Sequence, residues 1–249
     1  MRGRRDMYND ILTIGSVSSA DYGIYVMDVN DTDMPRRDYS VVSVPGRSRD
    51  LHYDNGRYEN IDRTYTCYVA DTGSYGRARD VIATFVGRIM RLKGYQRIEC
   101  SLHPDHYKKG EFRGEVVPEY ASGKDAAVVQ LTFDCDARKY LFEGEREITL
   151  ASGSQTVFNP GTQDAYPVFT LTGDGTITIG GRIITVEDNP GTLVIDCELG
   201  DAYEKTAHTN YNQYVSFSDH DLFTLPPGNT NIAVSGFGTR KLTPRWVTL

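Results

Sequence analysis

Phe169 to Asp196, FTLTGDGTITIGGRIITVEDNPGTLVID, decides how this chain is read. Phe169-Thr170-Leu171, Thr176 to Ile179 and Arg182 to Val186 are short runs of β-branched and apolar residues, side chains that fit a pleated, half-buried surface. Gly173-Asp174-Gly175 and Gly180-Gly181 stand between them, and short Gly-rich loops make hairpin turns. Thr192 to Asp196 continues the meander. Strands at this spacing with turn signals between them predict a β-sandwich or jelly roll.

The bias extends to the whole chain of 249 residues, which holds 20 Val, 14 Ile, 23 Thr and 17 Tyr against 13 Ala. Its 24 Gly and 10 Pro suit many tight turns. One stretch breaks the pattern. In Ala78 to Tyr95 (ARDVIATFVGRIMRLKGY), Val81, Phe85, Ile89 and Leu92 recur at helical spacing, flanked by Ile82, Val86 and Met90. That is an amphipathic helix, expected to cover a sheet face and to end at Gly94. Before it, Ile24-Tyr25-Val26, Val41 to Val44 and Thr64 to Val69 read as strands. Val44-Pro45-Gly46-Arg47 reads as a type II turn and Asp54-Asn55-Gly56 as a second turn. After it, Glu111 to Tyr120 and Ala127 to Cys135 flank Ser122-Gly123-Lys124-Asp125 and predict a long hairpin, with Val129, Leu131 and Phe133 on one face.

Composition changes near residue 146. Residues 1–146 carry 22 basic and 23 acidic groups, residues 147–249 carry 5 and 11 and hold 16 of the 23 threonines. The expectation is therefore two domains, 1–145 and 146–249, joined by a short connection within Phe142 to Leu150. The last residues, Leu242 to Leu249, could form a strand that returns to the first domain.

A net charge of −7 argues against binding nucleic acid by bulk phosphate neutralisation. No apolar run reaches the roughly 20 residues of a membrane span, and the basic Met1 to Arg5 is followed by polar residues where a signal core would stand. Cys67, Cys100, Cys135 and Cys197 are too widely spaced for a zinc knuckle or redox motif and read as reduced, structural thiols. GxSxG, GxGxxG and P-loop patterns are missing. Glu143 and Glu145 sit in a charged run that reads as a solvated loop, and Asp174 in Gly-Asp-Gly as a turn residue rather than a calcium ligand. His103-Pro104-Asp105-His106 has metal-ligand residue types, but its spacing supplies no third ligand, so it reads as a solvated loop. Arg47, Arg49 and Arg57, with Asp50, Asp54, Glu59, Asp62 and Arg63, read as a mixed-charge surface suited to an interface. No catalytic, cofactor-binding or metal-binding residue is assigned.

Several stretches, taken in order, carry a further signal. They are Ser18-Ser19-Ala20-Asp21-Tyr22-Gly23-Ile24-Tyr25, Val44-Pro45-Gly46-Arg47, Gly56-Arg57-Tyr58-Glu59-Asn60-Ile61 leading into Arg63-Thr64-Tyr65, the helix ending in Gly94-Tyr95, and Pro104-Asp105-His106-Tyr107. Leu131-Thr132-Phe133-Asp134-Cys135 with Tyr140-Leu141 follows, then Asn159-Pro160-Gly161-Thr162 with Tyr166-Pro167-Val168, Leu193 to Cys197, and Pro244-Arg245-Trp246. In their order and spacing these stretches resemble the distal tail proteins (Dit) of long-tailed, non-contractile bacteriophages. Asp136-Ala137 departs from a proline expected soon after the cysteine.

The resemblance implies a mainly β chain: an N-terminal β-sandwich with one α-helix and a long β-hairpin, then a galectin-like or jelly-roll C-terminal β-sandwich. It implies a non-enzymatic hub of the virion's tail tip, assembled in the host cytoplasm, with no cofactor and no membrane partner. The hub is a homo-oligomeric, hexameric ring between the tail tube protein and the tail-associated lysin (Tal) protein. Receptor-binding or baseplate proteins attach outside, and DNA passes through the lumen without specific binding. The expected ring contacts are the Glu111 to Phe133 hairpin and the Arg47 to Glu59 turn region. A competing reading is a carbohydrate-binding module that uses Tyr203, Tyr211 and Tyr214 as an aromatic platform, with Trp246 in a core.

Overall fold

The computed structural model describes residues 9–69, 77–114, 116–121, 125–218 and 223–249. The chain is mainly β and divides into two compact units, Met1–Lys139 with Leu249, and Tyr140–Thr248.

The first unit contains β1 (Leu12–Ile14), β2 (Val17–Ser18), β3 (Ile24–Asn30), β4 (Arg37–Val42), β5 (Leu51–Tyr58), β6 (Ile61–Val69), α1 (Arg77–Ile89), β7 (Gln96–Cys100), β8 (His106–Phe112), β9 (Glu119–Tyr120) and most of β10 (Ala127–Leu141). Its main sheet runs β2-β1-β7-β8-β10-β6-β3, with β9 paired to β10. A bridge between Asp10 and Val26 joins the segment entering β1 to β3, so the two ends of this path meet and the sheet curls around one core. Along β10, Ala127, Val129, Leu131, Phe133 and Cys135 are buried, the period of two of a one-sided strand. They pack with Tyr65 and Cys67 of β6 and with Ala78, Ile82, Phe85 and Ile89 of α1.

The helix covers the sheet as expected but stops at Ile89, short of Gly94. Met90 N–H still donates to Val86 O, whereas Arg91 and Leu92 N–H groups reach back only three residues, to Arg88 and Ile89 O. That tightening ends the α-ladder, and Gly94, at φ +67°, then turns the chain. Met90 is exposed as a result.

β4 and β5 pair only with each other and form a separate ribbon. Its tip is the expected turn, with Gly46 at φ +83° and Arg47 N–H donating to Val44 O at 3.1 Å. Asp54-Asn55-Gly56 is not a second turn. Asp54 Oδ1 accepts Gly56 N–H at 2.9 Å, the local geometry that the residues favour. It occurs inside β5, where the register shifts between Arg37 and Tyr39, and so makes a bulge.

The second unit contains the end of β10 with β11 (Ile148–Thr149), β12 (Gly153–Asn159), β13 (Val168–Thr172), β14 (Gly175–Ile179), β15 (Arg182–Val186), β16 (Thr192–Asp196), β17 (Asp201–Glu204), β18 (Val215–Phe217), β19 (Gly228–Gly236), β20 (Arg240–Thr243) and β21 (Val247–Thr248). It is a β-sandwich of two five-stranded sheets, β11-β20-β13-β16-β17 and β12-β19-β14-β15-β18. Phe169, Leu171, Leu193 and Ile195 from the first sheet share a core with Ile177, Ile184, Ile232 and Val234 from the second, and Trp246 joins them. The Phe169 to Asp196 stretch is therefore not one meander. Gly180-Gly181, at φ +59° and +84°, is the expected hairpin turn, of type I′ by its two positive angles. Gly173-Asp174-Gly175 instead carries the chain from one sheet to the other, and β16 returns to pair with β13. Alternation buries one face of β14, β15 and β19, whereas β13 and β16 are buried at successive residues, and the two sheets cover each other's inner faces.

The end of the chain closes this unit. Leu141 N–H donates to Trp246 O at 3.0 Å, and Arg245 N–H to Gly144 O at 2.7 Å. Arg245 takes φ +59°, unusual for a bulky residue. Its guanidinium grips Asp196 with two bonds of 2.8 and 2.5 Å. The Asp196 Oδ1 also accepts the Glu198 and Leu199 N–H groups. Burial alone would raise the Asp196 carboxyl, but the Arg245 hydrogen bonds, the Leu199 N–H and the Arg245 charge outweigh it and hold the carboxyl below its ordinary range.

Two predictions test this closure. A Cβ at Gly144 would lie 2.1 Å from Trp246 N, so Gly144→Ala should lower stability by about 1–3 kcal/mol in urea denaturation, the cost of overpacking. Because Asp196 is more acidic folded than unfolded, its contribution is complete above the unfolded value and is lost as pH falls through the folded one. Below about pH 4, stability should therefore fall more steeply for the natural chain than for Asp196→Asn, as measured by denaturation at stepped pH.

Candidate functional site

The β4–β5 ribbon leaves its apolar side chains in solvent. Tyr53 is 69% exposed, Val41 56% and Leu51 55%, with Tyr39 and Val42 beside them. Cross-strand pairing sets Ser40 opposite Tyr53, Val41 opposite His52 and Val42 opposite Leu51. The polar side chains lock the base and the bulge. Arg37 Nη1 meets Asp54 Oδ2 at 2.7 Å, Arg57 Nε meets Asp38 Oδ2 at 2.6 Å, and Asn55 Nδ2 donates to Asp38 Oδ1 at 2.9 Å. The Asn55 amide, then Arg57, holds the Asp38 carboxyl below its ordinary range; the Gly56 N–H, then Arg37, does the same for Asp54. A two-stranded ribbon is marginal alone, and exposed apolar side chains on such a surface mark a place for a partner. Of the mixed-charge group, Arg63 does not belong here. It lies in β6 and is buried.

Of the hairpin expected from Glu111 to Cys135, the second strand lies within β10, but of the first only Glu111 and Phe112, the end of β8, and Glu119 and Tyr120, which pair with β10, are strand. Pro118 stands just before that short strand and offers no N–H to the ladder. Ser122, Gly123 and Lys124 of the expected turn lie outside the described residues. β8 and β10 approach closely at Gly110, where a Cβ would lie 2.6 Å from Cys135 Sγ.

Pro104 and Asp105 are exposed, as a solvated loop requires, but His103 is half-buried and His106 buried. His106 opens β8 and is 7% exposed. Asp31, which follows β3, faces both imidazoles. Its Oδ2 lies 3.5 Å from His103 Nε2 and 3.8 Å from His106 Nε2. Its Oδ1 faces Lys108 Nζ at 2.8 Å, Arg63 Nη1 at 3.6 Å and Lys139 Nζ at 3.8 Å. Burial would raise the Asp31 carboxyl, but nearby His106 and Lys108 prevail and hold it far below the ordinary range. Burial lowers both His103 and Lys108. Sequence spacing could not reveal Asp31, which stands 72 positions before His103.

The remaining candidates do not converge. Tyr211 and Tyr214 meet edge to face at 5.1 Å and 82°, and Tyr203 pairs instead with His208, so the three rings make no single flat platform. Trp246 is buried in the second core. Cys67, Cys100, Cys135 and Cys197 are all free and buried, and burial pushes Cys67, Cys135 and Cys197 up to about 12 and Cys100 to about 11. Glu143 and Glu145 are exposed. Among the described residues, no helix is long and apolar enough to cross a membrane.

A curled β-sheet unit bearing a helix, together with a β-sandwich unit, is a two-part architecture found among solved structures. The chain shares it with the SPP1 Dit (gp 19.1) protein, described as a paradigm of the hub adsorption apparatus in phages infecting Gram-positive bacteria. The TM-score is 0.70 at 15% identity, over 94% of this chain and 97% of that one. Chains of the phage P2 baseplate, in its activated conformation with Ca and with Sr, match with TM-scores of 0.51 and 0.50. Their identities are 8% and 9%, each over 94% of this chain and 96% of the other. No family model and no curated protein matches the sequence.

The Asp31 cluster gives a direct test of the first unit. Asp31→Asn strands buried Arg63 and Lys108 without their carboxylate, so urea denaturation should show a loss of about 3–5 kcal/mol. A loss below about 1 kcal/mol would mean that the carboxylate does not hold these cations.

Proposed function

We propose that the chain is the structural hub of a long, non-contractile phage tail tip. Copies close into a hexameric ring that joins the tail tube protein to the Tal protein and the baseplate. The N-terminal domain, 1–145, makes the ring. The C-terminal domain, 146–249, faces outward and carries receptor-binding or baseplate proteins. DNA passes through the lumen unread, the protein acts in the virion after assembly in the host cytoplasm, and the role requires no catalysis.

The observation that carries this reading is the fold match to the SPP1 Dit hub protein, which spans nearly the whole of both chains. A ring of identical subunits needs a heterologous interface that closes by rotation. The exposed ribbon supplies a suitable surface, with Tyr39, Val41, Val42, Leu51 and Tyr53 left in solvent. The β8–β10 hairpin supplies the second proposed contact. The net charge of −7 suits a channel that does not grip phosphate.

Val41→Asp with Leu51→Asp changes two exposed side chains, so surface mutational effects on stability should stay within about 0.5 kcal/mol. Light scattering after size exclusion should show loss of the ring, while thermal melting is nearly unchanged. Truncation of Gly114 to Asp125 should likewise leave a folded monomer. Rings that persist in both variants would contradict the assigned interface.

A further inference from the structure

We propose that Asp31, His103 and His106 form a binding site for a divalent transition-metal ion of the zinc type. The site is independent of the hub role. One ligand atom from each of the three residues falls within 4.8 Å of the other two. Zinc bonds of about 2.0–2.2 Å in a tetrahedron put ligand atoms about 3.3–3.6 Å apart. The 3.5 and 3.8 Å separations from Asp31 Oδ2 lie at or just beyond that range, within a set that spans no more than 4.8 Å.

Three features distinguish this arrangement from an ordinary ion-pair cluster. The first is the division of labour on Asp31. Arg63, Lys108 and Lys139 all face Oδ1, and both imidazole nitrogens face Oδ2. Oδ1 faces the cations as ion pairs without a hydrogen bond of its own, and Oδ2 is left to the two imidazoles.

The second is the aim of His106. Its Nδ1–H donates to Asp105 Oδ1 at 3.0 Å, because an ionised carboxylate can only accept. Nε2, the other ring nitrogen, is buried without a hydrogen-bond partner. A carboxylate behind the imidazole is the arrangement that orients histidine toward a metal. Direct hydrogen bonding to Asp31 would need a separation of about 2.7–3.2 Å, shorter than either imidazole shows.

The third is access. The His103 side chain is 31% exposed, which leaves a solvent route and a fourth position for water. Two imidazoles and one carboxylate suit zinc-type ions better than magnesium or calcium, which prefer all-oxygen shells. The three cations on Oδ1 oppose a further positive charge, so the site binds less tightly than an all-anionic one. An ion there would tie the end of β3 to the start of β8.

The test is calorimetric titration of the full chain with ZnCl2, together with thermal melting and the absorption spectrum with CoCl2. The expected result is one Zn2+ per chain, a higher melting temperature, the bands of four-coordinate Co2+, and no binding of Mg2+ or Ca2+. His103→Gln keeps a polar side chain at a partly exposed position, and Asp105→Asn removes only the orienting carboxylate. Each should weaken Zn2+ binding at least about tenfold, while His208→Ala leaves it unchanged. No Zn2+ binding by the natural chain, or undiminished binding by His103→Gln, would overturn the site.

Discussion

The first unit depends on the pairing of β10 with β6. Nine consecutive residue pairs, from Ala127 opposite Val69 to Cys135 opposite Ile61, run without a register shift. A slip of one residue would turn Val129, Leu131 and Phe133 away from the core and present their polar neighbours to it. The same register sets Phe133 opposite Arg63, which fixes where a buried guanidinium must find a carboxylate. Asp31 meets that need from the end of β3, and the histidine segment is drawn to the same carboxylate. The polar cluster is thus a consequence of the pairing that makes the apolar core.

The ribbon shows the opposite economy. β4 and β5 bury little, yet their ladder is reinforced by paired Arg and Asp side chains at the base and the bulge. Exposed ion pairs contribute little to stability, so this network serves geometry more than folding energy. It holds the ribbon in one shape while Val41, Leu51 and Tyr53 stay in solvent. A stiff ribbon loses less conformational entropy when it meets a partner than a flexible one does.

Much of this was legible in the residues. The alternation of Val129, Leu131 and Phe133 located β10's inner face, and Gly180-Gly181 located a hairpin, because both signals are local. The helix face was legible from its spacing, but not its end, since tightening at Arg91 and Leu92 left Gly94 beyond the last α-turn. Gly173-Asp174-Gly175 links two strands as its residues suggest, but turn chemistry does not say which sheet receives the next strand. Asp54-Asn55-Gly56 has its expected local bond and still sits within a strand. Arg63, charged and expected outside, is inside because Asp31 and the Asp33 carbonyl receive it. Such pairing across 30 residues leaves no periodic trace. The approach of Asp31 to His103 is hidden for the same reason.

The central claim is that the chain assembles into a ring through its first unit. Negative-stain electron microscopy of the purified protein across a concentration series tests it most directly. The account predicts rings with a central hole and sixfold symmetry. Compact single copies at every concentration would contradict it.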